Sequence, residues 1–277
     1  MRNFSEMNIT EAVVARIAGA PSFRVREVST ALVRHLHAFL REVRPTQAEW
    51  EAGIAFLTET GKTCSEVRQE FILLSDTLGA SMLVDAINND RPGATESTVL
   101  GPFHVAGAPE AENGADLSDG APGEPLRVEG TVRDTAGRPL AGAWIDTWHC
   151  DHDGHYDVQK DGAHPAMRAR LRTDAVGRFW FRSIVPSSYP IPHDGPVGRM
   201  LEAQGRHPYR PAHVHFMVGA PGHETLVTHV FFAGDGYLDS DAVFGVKDSL
   251  VRALERDGAG GPAVLRYDFV LAPSAAA

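Results

Sequence analysis

The feature that most constrains this chain is a change of hydrophobic period near Gly93. Before it, apolar residues repeat at helical spacing. Val25, Val28, Leu32, Leu36, Phe39 and Leu40 lie mostly three or four apart, which predicts a helix over 23–43 stopped by Pro45. A shorter amphipathic segment opens at Thr10 and Glu11, runs to Ile17, and is ended by Gly19 and Pro21. Thr46 with Glu49, and Thr63 with Glu66, fit the capping box, in which each side chain satisfies the other's backbone donor; they predict helices over 47–60 and 64–88. After Gly93 the long helical patterns vanish and short alternating runs appear between Gly- and Pro-rich turns.

The runs LRVEGTVRD, AGAWIDTWHC, GRFWFRSIV, AHVHFMVG, ETLVTHVFF and AVLRYDFVLA read as strands, with one helix expected near 245–256. Strands at this spacing favour a β-sandwich. The turn Asp134 to Pro139 holds Gly137 where positive φ is available, and residues 110–124 read as a surface loop. The fold class is therefore α+β by content: a helical region over 1–95, then a mainly-β sandwich over 96–277.

The formal charge of −10 argues against nucleic acid, whose phosphates need clustered Lys and Arg. Two cysteines, Cys64 and Cys150, are too few for a disulfide framework, and the start lacks the apolar centre of an export signal; a reducing cytoplasm is expected. No apolar run approaches the ~20 residues of a membrane span.

Four clusters carry polar chemistry. In RPAHVHF, His213 and His215 project to one face of a strand, as half a metal site or as an ordinary polar face. WHCDHDGHY brings His149, Cys150, His152 and His155 together and invites zinc, although no second cysteine pair exists and strand alternation separates His149 from Cys150. Tyr156 stands in an Asp- and Gly-rich loop, and Tyr189 between stiffening prolines. Singly, either tyrosine reads as packing, and the 127–150 hairpin also suits a non-catalytic binding module. Together Tyr156, Tyr189, His213 and His215 offer two phenol oxygens and two imidazoles. A phenol with pKa near ~10 needs a strongly Lewis-acidic ion to stay ionised, and trivalent iron suits that role. A ferrous or zinc site on His213 and His215 is the competing metal reading, though such ferrous sites usually want a carboxylate as well.

The chain resembles the intradiol ring-cleavage dioxygenases. The resemblance runs from about residue 23 to Phe269 and is carried by ESTVLGPFHVAGAP (96–109), VEGTVRDTAGRPLAGAWIDTWHCDHDGHYD (128–157), LRTDAVGRFWFRSIVPSSYPIPHDGPVG (171–198) and RPAHVHFMVGAPGHETLVT (210–228). It implies one Fe(III) per subunit, held equatorially by Tyr156 and His213 and axially by Tyr189 and His215. It also implies a homodimer through the N-terminal helices, with a phospholipid possible at that interface. The substrate would be an ortho-diphenol opened by dioxygen. Tyr189 would leave the metal as the substrate binds and take up a proton, and Arg210 would stabilise negative charge developing on the ring.

Gly101-Pro102-Phe103, Ile191-Pro192 and the runs FILLSDTLGASMLVD and DSDAVFGVK are similar to the members that cleave hydroxyquinol (1,2,4-trihydroxybenzene) to 3-hydroxy-cis,cis-muconate, or maleylacetate. By that resemblance Ile72, Leu73, Asp76, Val99, Leu100, Gly101, Pro102, Phe103, Ile191, Pro192 and Val243 line the substrate pocket, with Asp76 placed to bond the third hydroxyl. The alternative is catechol or chlorocatechol cleavage to cis,cis-muconates. Where catechol-cleaving members place a glutamine behind the ring, this chain has His229.

Overall fold

The computed structural model describes residues 2–65, 68–160, 164–256, 258 and 260–274. The chain divides into two compact units, Met1–Glu59 and Thr60–Ala277. The first unit holds α1 (Ile9–Ile17), α2 (Phe23–Val43) and most of α3 (Gln47–Thr63). Polar contacts join α1 to α2: the Thr10 hydroxyl meets His37 Nδ1 at 3.0 Å, and Arg41 donates to Thr10 Oγ1 at 2.6 Å. The apolar stripe that predicted α2 is solvent-exposed in the single chain, with no buried residue in that helix. At α3 the capping box forms as expected: Glu49 accepts from the Thr46 N–H at 2.7 Å, and Thr46 Oγ1 from the Glu49 N–H at 3.3 Å.

The expected helix over 64–88 is corrected to two, α4 (Glu70–Thr77) and α5 (Ala80–Asn88). Gly79 lies between them at φ +73°, a conformation L side chains avoid, and this breaks the helical path. Thr63 ends α3, and its expected capping partner Glu66 lies outside the described residues.

The second unit continues with β1 (Pro125–Asp134), β2 (Trp144–Trp148), β3 (Arg168–Arg172), β4 (Arg178–Ile184), β5 (Tyr189–Pro190), α6 (Pro196–Ala203), β6 (Tyr209–Arg210), β7 (His213–Gly219), β8 (Leu226–Phe232), β9 (Val251–Arg252), β10 (Glu255–Arg256), β11 (Ala263–Arg266) and β12 (Phe269–Leu271). In one five-stranded sheet β1 is central: β4 runs antiparallel along one side, and β11 then β12 run parallel along the other, with β10 beyond β11. The other sheet has the order β3-β2-β7-β8-β9. Side chains alternating inward from both sheets make one core that includes Val128, Val132, Ile145, Leu171, Phe179, Phe181, Val214, Phe216, Val218 and Phe269. Truncating a fully buried Phe there, such as Phe216, would cost about 3–5 kcal/mol.

Two further readings change. AVLRYDFVLA is two strands, because Tyr267 and Asp268 step out between them; a Cβ on Gly130 would sit 1.8 Å from the Tyr267 carbonyl oxygen, so only glycine fits β1 at that crossing. The helix expected near 245–256 is a single tight turn, Asp248–Leu250, followed by β9 and β10. Parallel pairing of Val251 with Phe231 overrides the local periodicity there. Strand β3 and helix α6 were not anticipated. The N-terminus of α6 is satisfied by the buried carboxylate of Glu70, which accepts from the Val197 N–H at 3.2 Å.

Candidate active site

Strand β7 sets the site by alternation. Val214, Phe216 and Val218 enter the sandwich core, so His213, His215 and Met217 face the opposite side of the sheet. Cross-strand register then places Trp148 on one side of His215 and His229 on the other. The Trp148 ring stacks on His215 with centroids 4.6 Å apart and planes 14° from parallel. Gly101 closes from above at φ +77°, where an added Cβ would lie 3.0 Å from His215 Cε1. His215 Nδ1 has no hydrogen-bond partner among the described residues, so packing orients this ring.

Tyr156 comes from a loop and Tyr189 from a two-residue strand. The Tyr156 backbone is fixed by its N–H donating to Gln159 Oε1 at 2.8 Å, and Phe103 stacks on its ring at 4.3 Å. Tyr189 sits on β5, whose pairing with β6 puts it directly opposite Arg210. Gly154 lets the first loop pass the second, since its Cβ would be 2.7 Å from that of Tyr189.

The four polar tips converge. Tyr156 Oη lies 3.1 Å from Tyr189 Oη, 2.9 Å from His215 Nε2 and 3.5 Å from His213 Nε2. Tyr189 Oη is 3.4 Å from His213 Nε2, and the two Nε2 atoms are 3.1 Å apart. All four residues are buried. His213 Nδ1 donates to the Pro211 carbonyl at 2.7 Å, leaving Nε2 as a lone pair aimed into the cluster. Burial pushes both phenols above their ordinary pKa, and pushes His213 down to about 3 and His215 well below its usual range. The imidazoles are thus neutral, as ligation requires.

The donor set fits a small, strongly Lewis-acidic ion. Nitrogen and oxygen donors held ~2.1 Å from a common centre are ~3–3.5 Å from one another, which is the spacing here. His213, His215 and His229 form the one cluster of histidine, cysteine and carboxylate side chains with metal-ligand spacing found among the described residues, and no carboxylate joins it. This disfavours the two-histidine, one-carboxylate reading. His229 is held by the Thr98 hydroxyl at Nδ1, while its Nε2 has no partner among the described residues. The zinc reading of WHCDHDGHY fails: His149 bonds Ser183 Oγ and the Cys150 carbonyl, Cys150 Sγ donates to the Ser187 carbonyl, and His152 is exposed.

Arg210 is wholly buried and forks onto Asp241, with Nε to Oδ1 at 3.0 Å and Nη2 to Oδ2 at 3.2 Å; its Nη1 lies 3.4 Å from His213 Nε2. Burial is the largest single influence and opposes its charge, but Asp241 together with Tyr189 and Tyr156 outweighs it and holds the guanidinium protonated. Sequence reasoning missed Asp241 as a partner, although the DSDAVFGVK run contains it.

Beside the cluster lies a cavity of about 850 Å³ lined by Ile72, Asp76, Val99, Leu100, Gly101, Pro102 and Phe103, among others. Leu73, Ile191 and Val243 pack together in an adjoining apolar cluster against which Val99 rests. Pro192 belongs to neither group. Asp76 is buried, and burial raises its carboxyl pKa.

Residues 99–273 match the family described as "Dioxygenase", and residues 23–96 match "Catechol dioxygenase N terminus". The chain belongs to the intradiol ring-cleavage dioxygenases. Within this family of ring-cleaving enzymes it is 56% identical over 276 residues to the 6-chlorohydroxyquinol 1,2-dioxygenase of Cupriavidus pinatubonensis, covering 99% of this chain and 100% of the relative. It is 54% identical over 281 residues to the hydroxyquinol 1,2-dioxygenase of Nocardioides simplex, covering 97% and 96%. The solved hydroxyquinol 1,2-dioxygenase of Pseudomonas putida DLL-E4 superposes with a TM-score of 0.92 at 47% identity, covering 97% of this chain and 99% of that one.

Proposed function

We propose that this dioxygenase opens hydroxyquinol between its adjacent hydroxyls with one O2, giving 3-hydroxy-cis,cis-muconate, the enol form of maleylacetate. The reading places one ferric ion per subunit on Tyr156, Tyr189, His213 and His215. The observation that carries it is the convergence of two phenol oxygens and two imidazole nitrogens, all within 3.5 Å of a neighbour, beside an apolar cavity that holds one buried carboxyl. Relatives named for hydroxyquinols support the choice of substrate.

When bound, the ferric ion supplies the Lewis acidity that keeps both phenols ionised and activates an ortho-diphenol toward oxygen. The protein's own groups do the rest. Tyr189 Oη accepts a proton from a substrate hydroxyl. Arg210, fixed by Asp241, presents a permanent cation to charge developing on the ring. Val99, Leu100 and Phe103 exclude water, and Asp76 bonds the third hydroxyl, which apolar walls alone cannot reward.

Residues 1–95 form the proposed linker and dimerisation region, and 96–277 the catalytic region. Support for a homodimer comes from the exposed apolar face of α2, where Phe23 is 72% and Leu32 65% exposed in the single chain. That same face would border any acyl chain held between subunits. The proposed compartment is the cytoplasm; both cysteines are free thiols, and no helix among the described residues is long and apolar enough to cross a membrane.

The test is oxygen uptake and product absorbance for iron-loaded protein given hydroxyquinol, its chloro derivative, catechol and chlorocatechol. Fast turnover of the trihydroxybenzenes supports the proposal. Fast turnover of catechol with none of hydroxyquinol overturns it in favour of a catechol dioxygenase.

A further inference from the structure

A second buried ion pair lies behind Tyr156, and the chemistry described above makes no use of it. Arg168 opens β3 opposite Trp148, and its side chain is 3% exposed. Its Nε donates to Asp157 Oδ2 at 2.9 Å, and its Nη2 to Asp157 Oδ1 at 2.6 Å. The same Nη2 donates to the Phe103 carbonyl at 2.9 Å. Asp157 directly follows Tyr156, and its Oδ1 also accepts from the Val158 N–H at 2.9 Å, starting the short turn whose Gln159 anchors the Tyr156 backbone. Phe103 stacks on the Tyr156 ring, and two residues before it Gly101 faces His215, where an added Cβ would lie 3.0 Å from His215 Cε1. One guanidinium therefore ties three segments: the sheet, the loop bearing Tyr156, and the wall of the cavity.

We propose that Arg168 is a positioning residue for ring cleavage, holding the Tyr156 phenol and the Gly101–Phe103 wall in register so that metal ligation and substrate seating are set together. The proposal rests on the reading of Tyr156 as an iron ligand. A charge buried this deeply is costly to desolvate, and a lysine could not reproduce its planar, three-bond fork. Partners behind a ligand fix its orientation, and their loss typically costs about 10–100-fold in metal affinity or activity.

The experiment compares iron-loaded wild type with Arg168→Lys and Asp157→Asn. Arg170→Lys is the control: the Arg170–Asp146 pair lies on the same strand and face but bonds neither loop. The readouts are the visible tyrosinate-to-iron absorption, iron retention against a chelator, and KM and kcat for hydroxyquinol. Arg168→Lys and Asp157→Asn are expected to shift the absorption, weaken iron retention about tenfold or more, and raise KM by a larger factor than they lower kcat. Arg170→Lys is expected to leave the absorption unchanged. Wild-type absorption and retention in both test variants overturn the proposal, as does an equal shift in the control. If both test variants fail to fold while the control folds, the pair is a stability element and the proposal falls. Colourless iron-loaded wild type would instead remove the ligand reading of Tyr156, whatever the variants do.

Discussion

The hydroxyls of Tyr156 and Tyr189 lie 3.1 Å apart across a sequence separation of 33 residues. Both are buried, and burial raises both pKa values, so two adjacent phenolates are untenable here without a cation between them. Tyr156→Phe should lower iron affinity by at least the ~10–100-fold seen for loss of an outer partner, and bleach part of the visible absorption. Tyr189→Phe should retain more iron but lose about 10²–10⁴-fold in kcat, the usual worth of a positioned proton acceptor. Metal analysis with steady-state kinetics checks both; unchanged colour and rate in either variant would contradict the assignment.

Asp241 was not expected from the sequence, yet it determines how Arg210 is held. Removing one partner of a buried, forked ion pair strands the other charge, which costs about 3–5 kcal/mol. Asp241→Asn should therefore destabilise the fold by that order and lower kcat. Arg210→Lys should keep the charge, lose the fork and retain only a small part of the rate. Denaturant unfolding read beside kcat distinguishes the two effects.

Alternation made the site's floor legible. His213 and His215 share a face because β7 is a strand, and the intervening Val214 enters the core. Tyr156 and Tyr189 stood out only in combination with the two histidines, and the role of Arg210 only through family resemblance, because periodicity says nothing about where a loop returns. Strand β3 was hidden because RARLR alternates charge with apolar residues in a short run flanked by irregular loops, and α6 because Pro196 reads as a turn signal although proline suits the first turn of a helix. The helix expected near 245–256 failed because a sheet edge captured Val251. Thr98 and His229 meet across 131 residues, a contact no local pattern announces.

Substrate choice should turn on Asp76. Its carboxyl is buried and its pKa is raised by burial, so it can stand ready to share a hydrogen bond with a hydroxyl. Asp76→Ala should lower kcat/KM for hydroxyquinol about 10–100-fold relative to catechol, given ~1.5–3 kcal/mol for a hydrogen bond involving a charged group. An unchanged ratio in a competition assay would remove Asp76 from the specificity account.

His149 provides a pH prediction outside the ligand set. Burial drops its pKa to about 4, against ~6.5 for the unfolded chain. Between those values the unfolded state binds a proton that the folded state refuses. The contribution is complete above ~6.5 and is lost as pH falls toward 4, by up to ~1.4 kcal/mol per pH unit. In apo protein, His149→Gln should flatten the acid limb of stability against pH by about one proton; parallel curves would refute this.

The central claim, one ferric ion among Tyr156, Tyr189, His213 and His215, is tested most directly by anomalous diffraction at the iron edge from crystals of iron-loaded protein. The account predicts a single strong peak per subunit between Tyr156 Oη, Tyr189 Oη and the two Nε2 atoms. A peak elsewhere, or none in protein that turns over hydroxyquinol, would contradict it.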